Sequence, residues 1–287
     1  MLGNFSPNYF QFLTGSDIST RPSEISAWGV SVTPGNNTYG SWAQLLAAGS
    51  VTSHCYMIDI IFNTNYTAGQ IKDTLANIGI DPAGGTSYTT LIPNLLCGSN
   101  YYYGMESNGR LTGTQYSFPV FIPSGSSIAC QASVNNATVG TVRCSIKIYG
   151  MPSNPQALKF GTAVESIGIT SASSRGTAVT PGTTSDGTWT SLGTLTSRCC
   201  YAQIGFYLGN NNTNNRTLFA DLSYGDSTNN VIIMRDVLVT TNFDEHCTLV
   251  NYPAWCSVPA GATIYGRLQC NGVADASCGM AAFFVKE

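Results

Sequence analysis

Val32-Thr33-Pro34-Gly35 returns as Val179-Thr180-Pro181-Gly182, and Gly40-Ser41-Trp42 with Leu45 returns as Gly187-Thr188-Trp189 with Leu192, all displaced by the same 147 positions. Beyond this gapless stretch the offset shrinks while the order holds. Cys55-Tyr56 answers Cys199-Cys200, Tyr116 with Pro123-Ser124-Gly125 answers Tyr252 with Pro259-Ala260-Gly261, and Cys144 answers Cys278. Landmarks that keep their order while loop lengths drift are the mark of an internal repeat. The chain reads as one unit written twice.

The unit is written in strand residues. Cys55–Phe62, Phe118–Ile122, Val142–Tyr149, Tyr201–Leu208, Val231–Ile233 and Ala281–Val285 are β-branched and aromatic. Turn clusters such as Pro34-Gly35-Asn36-Asn37, Asp81-Pro82-Ala83-Gly84-Gly85 and Gly209-Asn210-Asn211-Asn212 separate them. Only Ala68–Ile78 hints at a short helix. Many short strands with regular turn signals predict an all-β fold: two tandem antiparallel jelly-roll-like β-sandwiches related by internal duplication and preceded by an N-terminal arm. The expected division is an arm over 1–27, a first sandwich over 28–150, a linker and lead-in strand over 151–174, and a second sandwich over 175–287. Gly150-Met151-Pro152-Ser153-Asn154-Pro155 marks the joint, since two prolines stiffen the backbone on both sides. Each unit has roughly 110–125 residues, near the commonest domain size, so each half is expected to fold alone.

Charged residues are 9% of the chain, with 12 Lys+Arg against 15 Asp+Glu, and Gly, Ser, Thr and Asn fill the polar positions. Ordinary soluble domains carry roughly 25% charge. A surface this neutral repels its own kind weakly and suits close packing against like subunits or a larger assembly. It lacks the basic stripe that tracks phosphates, so no nucleic-acid partner is expected. Apolar runs are strand-sized, far short of the roughly 20 residues that span a bilayer, so no membrane partner is expected either. The start, Met1 to Phe12, has neither the basic nor the apolar segment of a secretory signal, and assembly in the cytoplasm is the expectation.

Catalytic patterns are not evident. His54 and His246 lie in no metal-binding spacing, there is no G-x-S-x-G elbow, and no Gly-rich loop opens a helix. Carboxylate pairs can be drawn from Asp59, Asp81, Glu106, Asp221, Asp226, Asp244 and Glu245, but in a chain this poor in charge they are expected to serve turns and surface. The expectation is a non-enzyme with no cofactor and no metal.

Pro123-Ser124-Gly125 and Pro259-Ala260-Gly261 each sit between apolar strands and predict matching corners. Trp42 and Trp189, at equivalent places, are expected as core plugs. Cys55 with Cys144, and Cys199 or Cys200 with Cys278, are candidate disulfides if first and last strands are neighbours; the alternative is that all are small buried hydrophobes. Phe5, Tyr9, Phe10 and Phe12 form an aromatic arm that either folds back on its own unit or docks on a neighbouring subunit. Tyr101-Tyr102-Tyr103, flanked by Gly, Ser and Asn, are candidate exposed rings.

Three stretches carry a family resemblance. They are Asn77 to Gly85, Leu91-Ile92-Pro93-Asn94-Leu95-Leu96, and Phe118 to Gln131, and the last is echoed by Val258-Pro259-Ala260-Gly261-Ala262-Thr263-Ile264-Tyr265-Gly266-Arg267-Leu268-Gln269. These resemble virion structural proteins of tailed bacteriophages, in which a stretch reading I-P-A-G-x-x-I-x-x-R-x-Q follows an apolar strand. The likeness covers both repeats and not the arm, and no functional side chain is carried across. It implies β-sandwich modules on the outside of a virion, hence a capsid decoration or cement protein, a homo-oligomer whose partners are the major capsid protein or other virion proteins. The alternative is a tail-associated receptor- or carbohydrate-binding protein, with Tyr101, Tyr102 and Tyr103 stacking on a glycan.

Overall fold

Two strands written half a chain apart, β5 (Cys55–Asn65) and β14 (Cys199–Leu208), occupy the same place in two copies of one sheet pair. The computed structural model describes residues 11–13, 29–65, 74–97, 114–135, 141–150, 160–174, 176–208, 216–226, 228–241, 247–271 and 278–287. The first copy also contains β1 (Gln11–Leu13), β2 (Val30–Val32), β3 (Gly35–Asn36), β4 (Ala43–Leu46), β6 (Thr74–Asp81), β7 (Thr89–Leu96), β8 (Thr114–Phe118), β9 (Ser127–Val134) and β10 (Thr141–Gly150). The second contains β11 (Ala163–Ile167), β12 (Thr177–Ala178), β13 (Thr190–Thr194), β15 (Arg216–Gly225), β16 (Asn230–Thr241), β17 (Cys247–Val258), β18 (Thr263–Cys270) and β19 (Cys278–Lys286).

In the first copy, sheet I runs β2-β10-β5-β8 with β1 also on β10, and sheet II runs β4-β9-β6-β7 with β3 also on β9. In the second, sheet III runs β12-β19-β14-β17 with β11 also on β19, and sheet IV runs β13-β18-β15-β16. Strand for strand the wiring is identical, and it is that of a jelly roll: eight strands in two antiparallel sheets, with first and last strands adjacent. Even the short parallel contacts recur, Gly35 beside Ser133 and Gly182 beside Gln269.

The repeated Val-Thr-Pro-Gly…Gly stretch is the loop that enters each jelly roll, and steric closeness explains its spelling. A Cβ on Gly35 would stand 2.5 Å from the Thr38 carbonyl oxygen, and one on Gly182 2.0 Å from that of Ser185. The second glycine of each pair is as tight, Gly40 against Thr33 and Gly187 against Thr180. Gly40 and Gly187 each donate the N–H to the strand alongside, at Ala132 and Leu268. The Pro-x-Gly stretches are corners that pass the chain between sheets, with Gly125 and Gly261 at φ +80° and +79°.

Side chains alternate along β18, where Ile264, Leu268 and Cys270 point into the core of the second jelly roll. β6 and β19 break the alternation because both of their faces are covered. The hint of a helix at Ala68–Ile78 is therefore corrected where the structure describes it: Thr74–Ile78 is strand, an unbroken buried run whose period is hidden by burial on both sides, and 68–73 lie outside the described residues.

The two jelly rolls meet edge on face. Tyr116 and Phe118 on β8, and Leu96 on β7, lie at the open edge of the first and pack on the outer face of sheet III. There Phe283 stands against Tyr116 and Phe118 with ring centroids 5.4 and 6.4 Å apart, and the Tyr201 hydroxyl donates to the Ser117 carbonyl at 2.8 Å. Tyr201, Ala281, Phe283 and Val285 belong to one hydrophobic cluster with the first jelly roll's core. Without its neighbour that face of sheet III would be bare, so the two halves share one buried junction.

Candidate interaction surfaces

At the middle of sheets II and IV the duplication reaches single side chains. Asn77 on β6 accepts the backbone N–H of Asn94 at 2.8 Å, and Asp221 on β15 accepts that of Asp236 at 2.7 Å. Asn94 and Asp236 both have left-handed backbones, φ 55° and 54°, at the bulge where β7 and β16 slip past their neighbours. Asn and Asp are the residues that tolerate this conformation best.

Around this shared device the copies diverge in charge. Asp221 also takes the Arg267 guanidinium, at 2.7 Å from Nε and 2.6 Å from Nη2, and Asp186 takes the same Nη2 at 2.6 Å. Trp189 lies over the guanidinium, 4.4 Å from its ring centroid. In the first copy the cross-strand partner of Asn77 is Gln131, so the cluster is neutral. There Trp42 lies against Gly79, with ring atoms 2.6 Å from where a Cβ would be, and tilts on Tyr88. Both tryptophans are half-exposed on the outer faces of their sheets. The expectation of core plugs is corrected: each ring needs a flat seat, which a glycine or a guanidinium supplies.

The candidate disulfides are also corrected. β5 and β10 are neighbours, and so are β14 and β19, but they run antiparallel. Cys55 faces Gly150 while Cys144 faces Phe62, and Cys199 faces Lys286 while Cys278 faces Leu208. Each pair thus sits at opposite ends of its ladder, far beyond the reach of an S–S bond. All four are buried and in no disulfide, as is Cys200. Cys144 has its partner across the sandwich in Cys130, and burial pushes the Cys144 thiol pKa well up.

Of the carboxylates, Asp81 and Asp226 serve turns: Asp81 accepts the N–H groups of Ala83 and Ser87, and Asp226 those of Thr228 and Asn229. Asp59 on sheet I accepts the hydroxyls of Ser117 and Tyr149. Glu106, Asp244 and Glu245 lie outside the described residues. Among the described residues no group of three His, Cys, Asp or Glu is placed to hold a metal, and no helix is long and apolar enough to cross a membrane.

The sequence-nominated contact residues are mostly beyond view. Phe5, Tyr9, Phe10 and Tyr101, Tyr102 and Tyr103 lie outside the described residues. Phe12 is the centre of β1, whose backbone pairs with Lys147–Tyr149 of its own jelly roll. Two surfaces were missed by sequence reasoning. One is an aromatic cluster at the junction of the jelly rolls, where Tyr56 meets Phe160 at 4.5 Å and Phe121 at 5.4 Å, with His54 on Phe121 at 5.3 Å. The other is the free edge of sheet IV, with Phe219, Ile232 and Leu238 exposed. Its signal was the apolar run Leu218-Phe219-Ala220 in β15, where alternation called for a polar residue at 219.

The wiring and these surfaces define a tandem jelly-roll protein. No family model and no curated protein matches the chain. Among solved structures it is similar to the tandem CBM22 domains of Paenibacillus barcinonensis Xyn10C, at 12% identity over 98% of this chain and 90% of that one, TM-score 0.29. It is also similar to the VP2 subviral particle of infectious bursal disease virus (9% identity, 97% and 72% covered, TM-score 0.25) and to PNGF-II (9%, 94% and 68%, 0.33).

Proposed function

We propose that the protein is a non-enzymatic structural component of a phage virion, a decoration or cement subunit that binds the head lattice through the major capsid protein. The observation that carries this reading is the edge-on-face fusion of two jelly rolls into one body with a nearly uncharged exterior and an uncovered apolar edge. Such a body has little electrostatic steering and a large surface for close packing. It works by mass action: a subunit that binds only the assembled lattice stabilises that lattice, and twin modules can hold two adjacent sites at high effective concentration. The subunit assembles in the host cytoplasm and ends in the particle.

Gold-labelled antibody on negatively stained particles tests the assignment. Label spread over the head supports it, and label confined to the tail tip overturns it. A second reading, a tail-associated glycan binder, is favoured by the half-exposed rings Tyr56, Phe121 and Phe160, since such rings can stack on sugars. A glycan array separates the two: binding to one sugar that is lost on Tyr56→Ala or Tyr102→Ala supports recognition, and silence across the array supports the cement role.

A further inference from the structure

The β6–β7 side of the first jelly roll, which carries Leu96 into the junction, has a register-equivalent copy in β15–β16 that the chain leaves open. Leu75 on β6 faces Leu96 on β7, and at the same positions Phe219 on β15 faces Leu238 on β16. Both pairs are apolar and both flank the left-handed bulge residue, Asn94 in one copy and Asp236 in the other. Leu75 and Leu96 are 1% and 4% exposed, whereas Phe219 and Leu238 are 40% and 46% exposed. The difference lies in what covers them. Leu96 sits on Gly205 of sheet III, and the Asn94 side-chain amide donates to Ser166 Oγ at 2.9 Å and to the Ile169 carbonyl at 3.3 Å.

We propose that the Phe219–Leu238 edge docks on the outer face of sheet I of a second copy of this chain, repeating between molecules the contact that Leu96 makes with sheet III within one. Within the chain the seat for such an edge is the outer face of the β14–β19 pair. Its counterpart in the first jelly roll is the β5–β10 pair, where Ile61, Ser145 and Lys147 stand half-exposed at the places of Gly205, Ala281 and Phe283. The charges change together on the two sides. On the edge, Asp236 and Arg235 replace Asn94 and Pro93; on the face, Lys147 and Asp59 replace Phe283 and Gln203. Asp59 is buried under the hydroxyls of Ser117 and Tyr149, so the charges that can meet are the exposed Asp236 on the edge and the half-exposed Lys147 on the face, where the contact inside the chain is neutral. The apolar surface also widens where nothing in the chain covers it, since Ile232 is exposed at the place of Thr90.

An edge on one surface and a face on another make a heterologous contact, which closes into a ring or runs on as a filament. This contact does not depend on the virion assignment: label away from the head would end the cement role and leave the contact standing.

Sedimentation of the full-length protein tests it. The wild type sediments above monomer mass. The edge variant Phe219→Lys/Leu238→Lys is monomeric, and so is the face variant Ile61→Glu/Lys147→Glu. Mixed, the two variants form a 1:1 dimer and nothing larger, because each retains one intact surface. Near-UV circular dichroism confirms that both are folded. As a second measure, Asp236→Lys weakens association and Lys147→Glu in the same chain restores it. A monomeric wild type, or a face variant that assembles alone through edge-to-edge pairing, overturns the proposal.

Discussion

Asn94 and Asp236 hold the same left-handed backbone at the same bulge in the two jelly rolls, each anchored by its N–H to a side chain on the neighbouring strand. The anchors differ in charge, and the difference sets what each is worth. Asn77 is a neutral acceptor; Asp221 is a buried carboxylate held against a largely buried guanidinium.

Removing Asp221 therefore leaves Arg267 with only the more exposed Asp186. Asp221→Ala is expected to cost about 3–5 kcal/mol, as for a broken buried ion pair, whereas Asn77→Ala should cost about 1–3 kcal/mol, as for an unsatisfied neutral group. Urea unfolding midpoints compare them, and equal losses would contradict the assignment.

The entry loops make a steric prediction. Gly182→Ala drives a Cβ into a backbone oxygen that cannot rotate away, while Gly49 has no atom within 4 Å of its own Cβ position. Gly182→Ala should lose about 2 kcal/mol or more, and Gly49→Ala should be near neutral. Paired thermal melts read the contrast.

Buried thiols give the protein an alkaline limit. Burial, with Glu165 nearby, pushes the Cys199 thiol up to about 12; burial also raises Cys55 to about 11 and Cys256 to about 12. Burial raises the hydroxyls of Tyr39, Tyr149 and Tyr201 as well. Groups raised on folding ionise first in the unfolded chain. The stability they provide is fully present below the ordinary thiol pKa of about 8.5 and is lost as pH climbs through the folded values. Denaturation midpoints should be flat from neutrality to about pH 8 and then fall steadily. A flat profile to pH 11 would count against it.

Phe283 joins the two jelly rolls, fully buried among Tyr116, Phe118 and Gly205. Phe283→Ala should cost about 3–5 kcal/mol. Calorimetry should show one transition for the wild type, and an isolated second jelly roll should aggregate through its bared sheet III. Two independent wild-type transitions would mean that the shared core does not couple the halves.

The duplication was legible because Gly35, Gly40, Gly182 and Gly187 have no tolerable substitute in a loop that folds on itself, so the spelling survives. The sheets were legible where one face is wet and the pattern alternates. β6 was not, because burial on both faces erases the period. The Asn77–Asn94 and Asp221–Asp236 devices were invisible for another reason: each is single residues on separate strands, and Asn in one copy is Asp in the other. The thiol pairing went astray because matching positions in sequence say nothing about strand direction. Register shows the further slip, since the place of Cys144 is taken by Met280 and that of Cys278 by Val142.

A density map of the intact particle tests the central claim most directly. The account predicts paired jelly rolls on the outside of the head, two per subunit, with the Phe219–Leu238 edge covered by sheet I of an adjacent copy. Density for the chain at the tail tip, or subunits on the head with that edge open to solvent, would contradict it.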